Sequence, residues 1–146
     1  MTTMNTMSTM EGFGMYEKKE PLLSPEHERI VTSAIAGAIT VHRELGPGFK
    51  ERIYERAFAL ELEERGLKFE SEKKIDVRYK QWLIPGQKVD LVVEGVVLIE
   101  LKAIPRLKPL HTSQVISYLK TMDLRVGLLM NFNVRLFRDG LKRIVR

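Results

Sequence analysis

Apolar positions in the first half of the chain recur with the spacing of a helix. From Ile30 to Leu45 they lie three or four residues apart, behind a Ser24-Pro25 pair that is typical of a helix start. A Gly-Pro-Gly segment at 46–48 ends this helix. A second helical pattern runs from about Lys50 to Arg65 and stops at Gly66. The pattern therefore predicts two consecutive helices before any strand.

The period then changes to two, which is typical of strands. A strand is predicted over 73–79, followed by a turn at Pro85-Gly86 and by two apolar strands, 89–93 and 96–103, around Glu94-Gly95. A helix over 110–122 and a strand over 126–130 follow, and the final hairpin is predicted to pair 134–137 with 141–145. This order predicts an α+β sandwich, in which helices flank a central mixed sheet.

Composition limits the classes of function. Residues 1–22 are rich in Met, Thr and Ser and are expected to be a disordered leader, so residues 23–146 form the single predicted domain. The leader lacks the basic start of a signal peptide, and no apolar run reaches the length of a membrane span, so we expect a cytoplasmic protein with no membrane partner. The chain has no cysteine, which excludes thiolate metal sites and cysteine nucleophiles. A net charge of +5 only mildly favours a polyanionic partner.

Three charged residues interrupt the most apolar strands. Glu100 and Lys102 lie two apart and share a strand face, whereas Asp90 joins them only if the hairpin loop has an odd number of residues. A three-residue loop with Gly95 in the left-handed conformation meets this condition, and a two-residue loop does not. Buried charges need a partner or a metal. The hypothesis of a common site therefore depends on this register.

Two carboxylates and a lysine on one strand face suit phosphodiester hydrolysis with a divalent cation, because carboxylates are ligands that magnesium and manganese prefer. The alternative is an ordinary charged pair at a strand end. On the following helix, His111, Gln114 and Tyr118 form one polar stripe. Glu51 falls in the first turn of the second helix, where the helix dipole alone would also explain an acidic residue.

The segment from Gly48 to Tyr54 reads G-x-x-E-x-x-Y and, together with the residues just named, resembles the GxxExxY family of the PD-(D/E)XK nuclease superfamily. The resemblance covers residues 26–146 and implies a restriction-endonuclease-like core. Asp90 matches the motif aspartate, Glu100-x-Lys102 the E-x-K, and Gln114-x-x-x-Tyr118 the Q-x-x-x-Y helix of RecB-type exonucleases. Val89 occupies the position at which the superfamily motif often has a proline, but that proline is not required in the superfamily.

The resemblance also implies roles for these residues. Asp90, Glu100 and Glu51 would hold Mg²⁺ or Mn²⁺ with the backbone carbonyl of Leu101. Lys102 would be the catalytic lysine, and Gln114 and Tyr118 would position water and phosphate. His111 could also contact the phosphate or simply cap its helix.

The function expected from these residues is hydrolysis of nucleic acid, with DNA favoured, by a magnesium-dependent phosphodiesterase. A non-catalytic module that binds nucleic acid or protein through the same fold is the alternative, and a homodimer or another protein partner remains open. Lys73, Lys74, Arg106 and Lys108 are the candidate contacts to the phosphate backbone. Trp82 is expected to cover a sheet edge rather than to stack on a base.

Overall fold

The computed structural model describes residues 23–146, so the leader predicted over 1–22 lies outside the described residues. The helices are α1 (Pro25–Leu45), α2 (Glu51–Glu64) and α3 (Pro109–Met122), and the strands are β1 (Phe69–Tyr79), β2 (Trp82–Val93), β3 (Val97–Lys102), β4 (Val126–Asn131) and β5 (Leu141–Val145). Within this part of the chain no helix has the length and apolar character needed to cross a lipid bilayer.

The five strands form one mixed sheet in the order β1-β2-β3-β4-β5. Strands β3 and β4 are parallel and are joined through α3, whereas the other neighbouring pairs are antiparallel. Helices α1 and α2 cover one face, where Phe58 and Leu62 pack on Leu91 and Ile99. Helix α3 covers the other face. The predicted α+β fold with a mixed sheet between helices is confirmed.

The loop between β2 and β3 has the register that the site hypothesis requires. Val93 pairs with Val97 and Leu91 with Ile99, so the loop contains three residues, 94–96. Glu94 and Gly95 both take positive φ angles, 54° and 67°. The odd loop length places Asp90 opposite Glu100 when the same register is continued, so of the two loop lengths left open by the sequence the structure has the three-residue one.

The turn predicted at Pro85-Gly86 is wrong, because both residues lie inside β2. The chain reverses at residues 80–81, where Lys80 has a φ of 54° and Tyr79 pairs with Trp82. The register shifts between the Ile75 and Val77 pairings, so Pro85 and Gly86 form a bulge. A bulge tolerates a residue without an N–H, and glycine accepts the φ of 118° that Gly86 takes there.

The hairpin predicted between 134–137 and 141–145 is also wrong. Strand β5 pairs directly with β4, and residues 137–140 form a 3₁₀ turn. Phe132 and Phe137 are buried against each other in the core, and the Val134 carbonyl accepts a hydrogen bond of 2.7 Å from His42 Nε2. Burial of these aromatic rings and the bond to α1 replace the strand pairing that local alternation suggested.

Candidate active site

The site is built where strands β2 and β3 separate. The backbone N–H of Asp90 donates to Glu100 Oε1 at 3.1 Å, and the N–H of Leu101 donates to Asp90 Oδ2 at 2.8 Å. Each carboxylate therefore satisfies a backbone donor on the other strand, at the end of the ladder whose last backbone pair is Leu91 with Ile99. Both side chains are thus oriented by two hydrogen bonds that link the strands.

The regular alternation of side chains between the two sheet faces is interrupted in β1 and β2 beside Asp90. Val89 packs on the α3 side, whereas Leu91 packs on the α1/α2 side, although residues two apart in a regular strand share a face. The paired strand changes in the same way between Phe69 and Ile75, and Glu72 between them has a φ of 51°. This irregularity places Glu72 opposite Asp90 in the β1–β2 register.

Two further carboxylates, missed by the sequence analysis, join Asp90. One oxygen each from Glu55, Glu72 and Asp90 lies within 4.8 Å of the other two. Glu55 Oε2 is buried and makes no hydrogen bond within residues 23–146. Glu55 follows Glu51 by four residues on α2, a spacing that places both on one helix face and could have been noticed. Glu72 has no local signal, because its position depends on the β1–β2 register.

Burial and nearby negative charges raise the pKa values of Glu55, Asp90 and Glu100, whereas a 2.8 Å ion pair with Lys88 lowers the pKa of Glu72. Burial, followed by the charge of Asp90, raises the pKa of Glu100 to about 7. Burial, a hydrogen bond to Glu72 and nearby charges raise the pKa of Glu55 to about 8. Burial also raises the pKa of Asp90, against the bond from Leu101. Burial therefore disfavours the charged forms of these three carboxyl groups in the metal-free protein.

Lys102 provides positive charge at this site. It is half-buried at the end of β3, and its charge opposes the pKa increases of Asp90, Glu100 and Glu51. Its own carbonyl accepts a bond of 2.9 Å from the N–H of Phe132. The structure brings Lys102 near both strand carboxylates. The side chain of Leu101 is fully buried, and its carbonyl as a metal ligand stays a prediction.

The G-x-x-E-x-x-Y residues build the turn that precedes α2. The hydroxyl of Tyr54, which is fully buried, donates to the Gly46 carbonyl at 2.6 Å and accepts from the Phe49 N–H at 3.1 Å. Gly48 takes a φ of 111°, which favours glycine. Glu51 is the first residue of α2, and burial followed by the charge of Asp90 raises its pKa. Tyr54 and Gly48 thus orient the turn, and Glu51 faces the acidic cluster.

The polar stripe predicted on α3 is present, and its residues differ in the contacts that they make. The hydroxyl of Tyr118 accepts a hydrogen bond of 3.0 Å from Gln87 Nε2, and burial together with the charges of Glu100 and Asp90 raises its pKa. Gln114 is half-buried one turn earlier on the same stripe. Gln87, on the part of β2 before Asp90, carries no sequence signal for this contact.

His111 caps α3, the second of the two roles expected for it. Its Nδ1 accepts a bond of 2.9 Å from the backbone N–H of Lys108, so the neutral ring carries its proton on Nε2. Burial, followed by the charges of Lys102 and Lys108, lowers its pKa. The neutral ring is therefore favoured, and it can donate from Nε2.

The four basic residues predicted to contact the phosphate backbone of a nucleic acid lie on two segments of the protein. Lys73 forms an ion pair of 3.1 Å with Glu70, and its neighbour Lys74 is exposed on β1. Arg106 and Lys108 are exposed on the loop between β3 and α3. Trp82 is more than half exposed at the end of the β1–β2 hairpin, so the expectation that it covers a sheet edge is wrong.

Comparison with known proteins gives one match. The family model of the PD-(D/E)XK nuclease superfamily matches residues 28–144. The match begins in the first turn of α1, ends one residue before the end of β5 and includes every element between them. No curated protein and no solved structure matches the chain.

Proposed function

Because the chain belongs to the PD-(D/E)XK nuclease superfamily, we propose that it is a divalent-metal-dependent nuclease of the GxxExxY type. Superfamily membership supports a nuclease-like function and a nucleic-acid substrate. The observation that carries the finer proposal is the Asp90–Glu100 pair, oriented by reciprocal backbone hydrogen bonds with Lys102 beside it. Two carboxylates that can bind a divalent cation, with a lysine beside them, suit metal-assisted phosphodiester hydrolysis.

The residues present fit a divalent cation. The oxygens of Glu55, Glu72 and Asp90 are close enough to share an ion, and Glu55 Oε2 is buried without a hydrogen-bond partner among the described residues. All the candidate ligands are oxygen atoms, which favours Mg²⁺ or Mn²⁺. Of the proposed ligands Asp90, Glu100 and Glu51, only Asp90 belongs to this group, so we add Glu55 and Glu72 to the proposed set.

A bound ion would lower the pKa of a water molecule and neutralise charge on the phosphate. The chain itself supplies the remaining groups. The Lys102 ammonium lies where it can donate to the attacking water or to a phosphate oxygen. Tyr118, whose hydroxyl accepts from Gln87, keeps its own O–H free to donate toward the phosphate, and the proposed role of Gln114 is to orient water.

The residues around the cluster define the substrate path that we propose. His111 can donate from Nε2 to a phosphate oxygen, and Arg106 and Lys108 add positive charge beside it. Lys74 adds charge on the β1 side, whereas Lys73 is partly neutralised by Glu70. We propose that the phosphate backbone of the substrate contacts these exposed cations.

Cleavage of labelled substrates tests the proposal. Purified protein is incubated with single- and double-stranded DNA and RNA in Mg²⁺, in Mn²⁺ and in EDTA. We expect cutting of at least one substrate in either metal and none in EDTA. Absence of cutting, together with absence of Mn²⁺ binding by calorimetry, would contradict the proposal. Loss of Mn²⁺ binding in Asp90→Asn would support the assignment of this ligand.

A further inference from the structure

The β1–β2 hairpin extends beyond the rest of the sheet. Strands β1 and β2 have 11 and 12 residues, whereas β3 has six, and its pairing with β2 covers only Leu91–Val93. Strand β1 is the sheet edge. The outer hairpin, residues 75–87, therefore has only its own two strands to pair with among the described residues. A two-stranded ribbon of this kind is only marginally stable without further contacts. The side chains on its surface therefore indicate what else it could contact.

One face of the outer hairpin is apolar and exposed. Val77 pairs with Ile84 and Tyr79 with Trp82, so these four side chains share a face. Their exposed fractions are 39%, 50%, 56% and 55% in that order. The rings of Tyr79 and Trp82 lie nearly parallel, with centroids 6.4 Å apart. Two large aromatic faces are thus presented to the solvent at the end of an arm.

The outer hairpin and its base are basic. Residues 73–88 contain five basic side chains and one acidic side chain, Asp76, and at the base Lys73 and Lys88 pair with Glu70 and Glu72. Lys74, Arg78 and Lys80 form no ion pair with any residue from 23 to 146. The Lys80 ammonium lies 5.4 Å from the centre of the Tyr79 ring. Cations that alternate with exposed aromatic rings are the chemistry that binds single-stranded nucleic acid, because bases stack on the rings and phosphates pair with the cations.

We propose that the outer hairpin binds unpaired nucleotides of a nucleic acid strand, with bases stacked on Trp82 and Tyr79 and phosphates against Lys80. The inference rests on the proposed function, since it gives that site its substrate class. Trp82 and Asp90 are eight positions apart in the sequence, which is about 25 Å along the strand. A second copy of this chain fits the arm less well, because two such basic arms would repel each other.

Fluorescence of Trp82 gives a direct test, because it is the only tryptophan in the chain. The wild-type protein is titrated in EDTA with an oligothymidylate of about 20 nucleotides, long enough to span from the hairpin to the acidic cluster. We expect saturable quenching of Trp82 fluorescence. EDTA prevents metal-dependent cleavage, so binding is measured whether or not the protein proves to be a nuclease.

Anisotropy of a labelled oligothymidylate then compares variants. We expect Trp82→Ala to weaken binding about tenfold or more and Trp82→Phe to retain most of the affinity, since phenylalanine still offers a stacking face. Lys80→Ala should weaken binding more than Lys142→Ala, which removes the same charge from β5 at the opposite edge of the sheet. Thermal melts establish that each variant is folded.

Three results would overturn the proposal. The first is the absence of Trp82 quenching at saturating oligonucleotide. The second is equal affinity of Trp82→Ala and wild type. The third is sedimentation that shows a wild-type dimer and a Trp82→Ala monomer, which would assign the outer hairpin to contact between copies of the chain.

Discussion

Asp90 and Glu100 hold each other in place across two strands: the N–H of Asp90 donates to the Glu100 carboxylate, and the Asp90 carboxylate accepts from the N–H of Leu101. The two acidic groups therefore remain close although they repel, because each completes the hydrogen bonding of the other strand. The repulsion is visible in the pKa of Glu100, which burial and the charge of Asp90 raise to about 7.

Burial of these carboxyl groups, together with this repulsion, predicts that the metal-free protein loses stability as pH rises. The pKa of Glu100 is about 7 when folded, against an ordinary 4.5, so the folded state binds more protons between these values. The contribution of Glu100 is thus most favourable below pH 4.5 and is lost as pH rises through 7. Glu55, with a pKa of about 8, extends the loss in the same direction.

Glu100→Gln measures this effect, since the amide oxygen can still accept from Asp90. Across pH 5 to 8 in EDTA, we expect the free energy of unfolding of wild type to fall by roughly 2–3 kcal/mol more than that of Glu100→Gln. Urea denaturation at each pH gives both profiles. Glu63→Gln, at an exposed position of α2, should follow wild type. Parallel profiles for wild type and Glu100→Gln would contradict the assigned repulsion.

Much of this geometry could be predicted from local sequence. Glu94-Gly95 predicts a tight hairpin here, because glycine accepts the left-handed conformation, but only the structure selects the three-residue loop whose register places Asp90 opposite Glu100. The helix limits follow from Ser24-Pro25 and from the glycines after α1 and α2. These features depend on residues close in sequence.

The missed features depend on tertiary contacts. Glu72 itself takes a left-handed backbone conformation within β1, which is unusual for a residue other than glycine and has no signal in the sequence. The hydrogen bond from Gln87 to Tyr118 joins a strand to a helix that are distant in sequence. Pro85-Gly86 resembles a turn locally, but pairing of Val77 with Ile84 makes it a bulge. The prediction of the final hairpin is wrong because of tertiary contacts too, since burial of Phe132 and Phe137 outweighs the local alternation of apolar and polar residues.

Tyr54→Phe should destabilise the turn before α2. The change removes the hydroxyl that bonds the Gly46 carbonyl and the Phe49 N–H at a fully buried position. We expect the free energy of unfolding to fall by about 1–3 kcal/mol. Tyr79→Phe removes the same group from an exposed ring and should cost less than about 0.5 kcal/mol. Equal effects in urea denaturation would show that the Tyr54 hydroxyl does not stabilise the turn.

Asn131 connects β4 to the loop that follows Lys102. Its buried amide accepts from the N–H groups of Ile104 and Asn133 and donates to the Ile104 carbonyl at 2.9 Å. Asn131→Ala should therefore cost roughly 2–4 kcal/mol of stability and speed amide exchange at Ile104.

The matched control for this variant is Asn133→Ala, because the Asn133 side chain makes no hydrogen bond within the described residues. We expect it to change stability by about 0.5 kcal/mol or less. Hydrogen exchange and urea denaturation are measured on both variants. If the two asparagine variants behave alike, the amide of Asn131 does not hold the loop.

The most direct test of the central proposal compares Lys102→Ala with Lys120→Ala in the cleavage assay with Mg²⁺ or Mn²⁺. Both variants remove one lysine, but Lys120 is exposed in the last turn of α3, away from the charges that surround Lys102. A nuclease site at Asp90, Glu100 and Lys102 predicts that Lys102→Ala lowers the rate at least about 100-fold, while Lys120→Ala cuts at the wild-type rate. Equal cutting by wild type and Lys102→Ala would contradict the assignment of this site.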